Sequence, residues 1–295
     1  MMLNTRGRLV TLERPAVMGI VNVTPDSFYA GSRTAAGEVT ARVAQMIADG
    51  ADMIDLGGYS SRPGAGEVSP AEELSRVAPA LEAIRREFPD IIVSVDTFRA
   101  SVARESVALG ADIINDISGG DLDPEMFDTV AALRVPYILM HMRGKPDTMQ
   151  SMTDYDDVAA ETLRDLAFKA DRLHQLGVCD VIVDPGFGFA KTTDQNYALL
   201  GALKAFRAIG PLLVGISRKT MIWRELDTTP ENALNGTTVL NTIALMNGAD
   251  ILRVHDVREA AETVRLFEAY RRNRPGQSRT ISVTDRTGHT STEMF

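Results

Sequence analysis

Eight short apolar runs, each followed by a longer segment with helical periodicity, constrain this chain more than any other feature. The runs occupy residues 16–21, 53–56, 91–95, 112–114, 137–140, 181–183, 212–215 and 251–254. Strand-length apolar stretches alternating with helix-period segments are the mark of parallel β/α architecture. Eight repeats point to an α/β fold of the (β/α)8 TIM-barrel kind in a single domain, which typically needs about 250 residues. The same periodicity also fits an open, doubly wound sheet.

Local signals support the helices between the runs. Ser69-Pro70 places a capping residue and a first-turn proline before 71–86, and Glu72 and Glu73 stand near the positive end of that helix. Thr193 or Asp194 opens a helix ending near Arg207, and Thr229-Pro230-Glu231 opens another that runs to Met246 and stops at Gly248. Gly50, Gly110, Gly177 and Gly248 each follow a helix and precede a strand, as left-handed helix ends require. The 295 residues thus divide into an N-terminal extension (1–15), a barrel domain (16–271) and a polar tail (272–295) expected to lack order.

Composition narrows the function classes. A formal net charge of −9, with no run of Lys or Arg, disfavours a nucleic-acid partner. No stretch approaches about 18 uninterrupted apolar residues, so no membrane span and a soluble protein are expected. The single cysteine, Cys179, precludes an internal disulfide framework; it fits a reducing cytoplasm and is expected to be a small buried residue beside 181–183.

Polar residues stand at the C-terminal end of nearly every apolar run: Asn22, Asp96, Asn115-Asp116, His141, Asp184, Ser217-Arg218-Lys219, and Arg253 with His255. An Asp or Asn after a strand often only closes a turn or caps a helix. So many together point to the face where barrels carry their active sites. Asp96, Asn115 and Asp184 supply acceptors and donors for a flat heterocycle with amide and amino edges, since a carboxylate matches a guanidine-like edge with two parallel hydrogen bonds. Arg62, Lys219, Arg253 and His255 bring the opposite sign and suit phosphate. The segments Asn22-Val23-Thr24-Pro25-Asp26-Ser27-Phe28 and Gly57-Gly58-Tyr59-Ser60-Ser61-Arg62-Pro63-Gly64 are too rich in Gly, Pro and Ser to extend a helix and read as active-site loops, although each alone is also an ordinary turn.

At these loops the chain resembles the dihydropteroate synthase family of pterin-binding enzymes. The first signature is Met18-Gly19-Ile20-Val21-Asn22-Val23-Thr24-Pro25-Asp26-Ser27-Phe28, and the second runs from Ala51 to Gly64. Further matches are Val95-Asp96-Thr97, Ile114-Asn115-Asp116, Met140-His141-Met142-Arg143-Gly144, Asp184-Pro185-Gly186-Phe187-Gly188-Phe189, Ser217-Arg218-Lys219 and Arg253-Val254-His255-Asp256-Val257, in order through every strand end. The resemblance implies that Asp96, Asn115, Asp184 and Lys219 contact a pterin ring, with Met140 and Phe189 packed nearby. It implies that Asn22, Arg62, Arg253 and His255 hold pyrophosphate, Asn22 partly through Mg2+, which keeps waters and borrows phosphate oxygens. Phe28, Ser61, Arg62, Pro63, Lys219 and Thr220 would form the p-aminobenzoate pocket, where sulfonamides act in the family.

The reaction implied is alkyl transfer in folate synthesis: the bond from the pterin C9 methylene to pyrophosphate breaks and the amine of p-aminobenzoate takes its place. Asp96, Lys219, Arg253 and His255 are the catalytic set this implies, and a homodimer through the late helices is implied with it. Departures from the commonest family pattern are Tyr59 for an acidic residue, Ser61 for Thr, Ala190 for Gly, Thr220 for Ser and Tyr29-Ala30-Gly31-Ser32 for a more acidic stretch. The rival readings are a pterin-binding methyltransferase domain, a barrel aldolase using Lys219 as Schiff-base amine, and a non-catalytic pterin-binding paralogue.

Overall fold

The structure is a computed structural model that describes residues 1–23, 32–59, 68–274, 280–284 and 290–294. The chain opens with strands β1 (Met2–Thr5) and β2 (Arg8–Thr11), an antiparallel hairpin whose turn holds Arg6 and Gly7 at φ 48° and 73°. Eight parallel strands follow: β3 (Ala16–Asn22), β4 (Met53–Gly57), β5 (Ile92–Asp96), β6 (Ile113–Asp116), β7 (Tyr137–Met140), β8 (Val181–Asp184), β9 (Leu213–Val214) and β10 (Ile251–Val254). Their order is β8-β7-β6-β5-β4-β3-β10-β9, and a parallel bridge between Val183 and Leu212 joins the two outer strands. The sheet therefore closes into a (β/α)8 barrel, and the open-sheet alternative falls away.

Helices α1 (Ser32–Ala48), α2 (Pro70–Glu87), α3 (Ala100–Ala108), α4 (Met126–Leu133), α5 (Val158–Gln175), α6 (Thr193–Phe206), α7 (Thr220–Glu225), α8 (Leu234–Met246) and α9 (Val257–Arg272) lie between and after the strands. Ser69 caps α2, accepting from the Glu72 amide. At α6 the capping residue is Thr192, whose side chain accepts from the Gln195 backbone while Gln195 accepts from the Thr192 amide. Gly50, Gly110, Gly177 and Gly248 have φ between 92° and 107°, the left-handed ends read from the sequence. The helix expected from residue 229 to 246 is divided instead. Pro230–Asn232 form one 3-10 turn, and α8 starts only at Leu234, because three carbonyls before it are used elsewhere: those of Pro230 and Glu231 accept from Arg218, and that of Thr229 accepts from Asn232.

Strand side chains alternate between two buried surfaces. Val17, Ile54, Val93, Ile114, Leu139, Val183 and Leu252 face the helices. Ala16, Met18, Met53, Ile92, Ile113, Ile138, Ile182, Leu213 and Ile251 fill the barrel interior, and Leu3 of the N-terminal hairpin joins them, so the extension plugs the barrel floor. Cys179, expected to be buried, is exposed, because it lies in the turn before β8 and not in the strand. Within the expected tail, β11 (Thr280–Thr284) and β12 (Thr290–Met294) pair antiparallel.

A three-residue repeat pins the floor. Gly50-Ala51-Asp52, Gly110-Ala111-Asp112 and Gly248-Ala249-Asp250 each end a helix and start a strand, and each Asp accepts from a backbone amide of the neighbouring strand region: Val17 at 2.9 Å, Val93 at 2.8 Å and Leu212 at 2.9 Å. Each also meets an arginine. Asp112 binds two, Arg85 from α2 and Arg6 from the hairpin at 2.6 Å. Asp112→Ala would strand the half-buried Arg85 and the Val93 amide, and we expect a loss of about 3–5 kcal/mol in urea unfolding. A loss below about 1 kcal/mol would reduce this cluster to screened surface charge.

Candidate functional site

The alternation that fills the floor with apolar side chains turns polar one step higher. Two residues beyond Met53, Ile113, Ile182 and Ile251 stand Asp55, Asn115, Asp184 and Arg253; beyond Ile138 stands Met140; and beyond Ile92 come Ser94 and then Asp96. A period of two places all of these inside the barrel at its C-terminal mouth. Asn22, Gly57, Asp96 and Asn115 are consecutive register partners across β3 to β6. Gly57 leaves a gap between its neighbours, since a Cβ there would lie 3.4 Å from Asn22 Oδ1 and 3.6 Å from Asp96 Cβ.

Opposite charges organise the centre. Arg253 donates from Nε to Asp55 Oδ2 at 2.6 Å and from Nη2 to Asp96 Oδ2 at 2.8 Å. Asn115 Nδ2 donates to the same Asp55 oxygen at 3.1 Å. The second oxygen of Asp55 and the amide oxygen of Asn115 are buried without a partner among the described residues. Two unpaired buried acceptors at a barrel mouth are costly in a protein that binds nothing there. Burial lifts the Asp96 carboxyl to about 7, with the neighbouring Asp55 adding to what Arg253 relieves. Burial works against the Arg253 cation, but Asp55 and Asp96 hold it above its ordinary range.

Asp184 closes the other side. It is buried, its Oδ1 accepts from the Gly186 amide at 2.8 Å, and burial raises its pKa against the pull of Lys219. Lys219 Nζ donates to the Phe187 carbonyl and lies 4.7 Å from the centre of the Phe189 ring. Burial and the Arg253 charge draw Lys219 down to about 8. Met140 packs with Ile117, Met142, Met149 and Ala190, and Phe189 lies against that group. The result is an apolar wall beside a row of hydrogen-bonding groups, suited to a planar, polar ring.

The rim carries His255 and Arg218. His255 takes hydrogen bonds with Ser217 Oγ through both its amide and Nδ1, each at 3.2 Å. The residue is exposed at the rim, but the partial loss of water around its ring and the Arg253 cation lower its pKa to about 4, so it is neutral at pH 7. Arg218, at φ 55°, pairs with Asp256 through Nε at 2.8 Å and Nη2 at 2.9 Å, bracing the loop that presents Lys219 and Thr220. Phe28, Ser61, Arg62 and Pro63 lie outside the described residues. The structure thus gathers Asn22, Asp96, Asn115, Met140, Asp184, Phe189, Lys219, Arg253 and His255 at one mouth.

Asp55 was absent from the residues read from the sequence. It lies inside the apolar run 53–56 and not at its end, and its signal was the one charge in that run, two positions from Met53 on the inward face. Lys191, buried behind the Asp184 loop, follows a turn whose left-handed residues bring it back under the site, and no local pattern signals that path.

A parallel barrel whose mouth joins a polar slot for a flat ring to a cationic rim defines a class: barrel enzymes acting on a heterocycle that carries an anionic group. Residues 18–255 match the family described as pterin binding enzyme. The chain is 45% identical over 273 residues to the dihydropteroate synthase of Escherichia coli K12, covering 91% of this chain and 96% of that protein. Among solved structures it is similar to Yersinia pestis dihydropteroate synthase with a sulfonamide drug complex (TM-score 0.85, 41% identity, 92% of this chain and 100% of that one). It is also similar to the Xanthomonas albilineans enzyme with 4-aminobenzoic acid (TM-score 0.84, 40% identity, 92% and 98%). The chain belongs to the pterin-binding enzyme family, in its dihydropteroate synthase branch.

The raised Asp96 pKa has a thermodynamic sign. The folded state holds this proton more tightly than the unfolded chain, so the contribution is present at acid pH and is lost as the pH rises from about 4 to about 7. The stability of the wild type relative to Asp96→Asn should therefore fall across that window and level off above it. Parallel profiles for the two proteins would show that Asp96 titrates like a surface acid.

Proposed function

We propose that the chain condenses 6-hydroxymethyl-7,8-dihydropterin pyrophosphate with p-aminobenzoate, giving 7,8-dihydropteroate and pyrophosphate in folate synthesis. The observation that carries this reading is the polar layer above the apolar floor, with its unpaired oxygens on Asp55 and Asn115. In this reading Asp184, Asn115, Asp96 and Lys219 bind the pterin edges, and Met140 and Phe189 line its faces. Arg253, His255, Asn22 and Arg62 take the pyrophosphate. Lys219, Thr220, Phe28, Ser61, Arg62 and Pro63 take p-aminobenzoate.

The carbon–oxygen bond to pyrophosphate breaks with its electron pair leaving on oxygen, the p-aminobenzoate nitrogen bonds to the methylene carbon, and that nitrogen gives up a proton. No protein nucleophile is needed. The carboxylates of Asp184 and Asp96 favour positive charge on the pterin as the bond lengthens, and Arg253 opposes the charge collecting on the leaving group. Asp96 faces both Arg253 and the pterin, so an arriving pterin competes for Asp96 and frees one arm of Arg253 for pyrophosphate. Arg253→Lys keeps a cation near Asp55 but loses the two-pronged geometry. Turnover should drop roughly a hundredfold with little change in melting temperature; near-normal turnover would confine Arg253 to bracing the mouth.

Mg2+ fits the donor set. Asn22 offers a single amide oxygen beside the Gly57 gap, and an ion held by one protein oxygen draws its other ligands from pyrophosphate and water, as Mg2+ does. When bound, it would neutralise charge on the leaving pyrophosphate. A homodimer is supported by exposed apolar residues on the last two helices, Val239, Ile243 and Met246 on α8 and Leu266 and Tyr270 on α9. A cytoplasmic location is in keeping with the lone cysteine.

The deciding assay is pyrophosphate release that requires p-aminobenzoate; release at the same rate without it would refute the synthase reading. Asp184→Asn replaces a carboxylate facing the guanidine-like pterin edge with a neutral amide. By calorimetry it should weaken pterin binding by about 2–4 kcal/mol, and an unchanged affinity would take Asp184 out of the site.

A further inference from the structure

Between Asp184 at the end of β8 and the start of α6, the backbone enters the left-handed region three times, at Gly186 (φ 73°), Gly188 (φ 80°) and Ala190 (φ 51°). For Ala190, which is fully buried, that conformation costs energy that neighbouring contacts must hold in place. The loop is also pressed against β7: a Cβ on Gly186 would sit 2.0 Å from the His141 carbonyl oxygen.

Lys191 supplies the contact. It is 4% exposed, and its side chain turns back beneath the loop. Nζ donates to the Gly186 carbonyl at 3.0 Å and the Phe189 carbonyl at 3.1 Å, and meets His141 Nδ1 at 3.0 Å. Burial and the Lys191 cation lower the His141 pKa to about 2, so the neutral ring accepts from the ammonium. His141 in turn donates its amide to the Asp184 carbonyl at 3.1 Å. Burial lowers the Lys191 pKa to about 7, and in its charged form all three donors are spent, two inside the loop and one at the end of β7. The carbonyls they engage belong to Gly186, whose amide holds the Asp184 carboxylate, and to Phe189, whose ring faces Lys219.

We propose that Lys191 is a positioning residue for the pterin seat: it draws the Gly186–Phe189 turn and the end of β7 onto one cation, and so sets where the Asp184 carboxylate and the Phe189 ring stand. The ammonium touches no substrate. The inference rests on Asp184 and Phe189 being pterin contacts, as proposed above.

The test is Lys191→Met in the full chain, which keeps the side-chain length and removes the donors. Calorimetry with 6-hydroxymethylpterin and steady-state kinetics with both substrates are compared with the wild type. The expected result is a rise of about tenfold or more in the pterin Kd and in the KM for the pterin substrate, with kcat and the KM for p-aminobenzoate within about twofold. Should this variant not fold, His141→Leu removes one of the three partners and should raise the pterin Kd about threefold, a smaller loss of the same kind. A lowered melting temperature with unchanged pterin affinity, in whichever variant folds, would make Lys191 a scaffold residue and overturn the proposal. A wild-type protein that binds no pterin would instead refute the functional reading on which it stands.

Discussion

The ion set of Arg253 between Asp55 and Asp96 is the constraint to which the rest of the barrel answers. Burying one guanidinium with two carboxylates is costly unless the geometry is fixed and each charge is partnered. Here three strands share the task, β4 giving Asp55, β5 giving Asp96 and β10 giving Arg253. Such strands hold their side chains at a set height only if the barrel beneath them cannot shift. The apolar layer from Ala16 to Ile251, capped by Leu3, supplies that rigidity, and the Asp52, Asp112 and Asp250 clasps lock adjacent strands in register from below. Stability is concentrated at one end of the barrel and polarity at the other.

This division lets the mouth carry groups that an ordinary core would reject. Asp96, Asp184 and Asp116 all have raised pKa values because burial disfavours their charged forms. Asp116 is satisfied by Ser118, Gly120 and Tyr137, and so is structural. Asp96 has only Arg253 among the partners found for its side chain. The contrast separates an acid satisfied within the fold from one that, in the proposed reading, meets a ligand, even though the two sit at the ends of adjacent strands.

Much of this was legible in the sequence. The eight apolar runs coincide with the eight barrel strands to within a residue or two, because burial on both faces leaves an unbroken apolar signature. Residues at strand ends were legible for a related reason: polarity begins where the apolar run stops. Asp55 and Lys191 were not, since one is a lone charge within a run and the other follows a turn whose three left-handed residues bring it back under the site. No local pattern encodes that return path. The partner of Arg253 was equally hidden, with Asp256 nearby in sequence but taken by Arg218, while Asp55 and Asp96 lie 198 and 157 positions away.

Charge is also sorted around the mouth by position in the chain. Asp55, Asp96 and Asp184 come from β4, β5 and β8, whereas Lys219 comes from the loop after β9 and Arg253 from β10. In a closed barrel β9 and β10 sit side by side, so the cations collect on one arc and the acids occupy the rest. In the proposed reading, such a field favours one orientation of a substrate that donates hydrogen bonds from a guanidine-like edge at one end and is anionic at the other. In that reading the orientation directs the bond to be broken toward the cationic arc, which opposes the charge collecting on the leaving pyrophosphate. Barrel closure thus sets the polarity of the mouth, because it brings β9 and β10 together and with them Lys219, in the loop after β9, and Arg253, on β10.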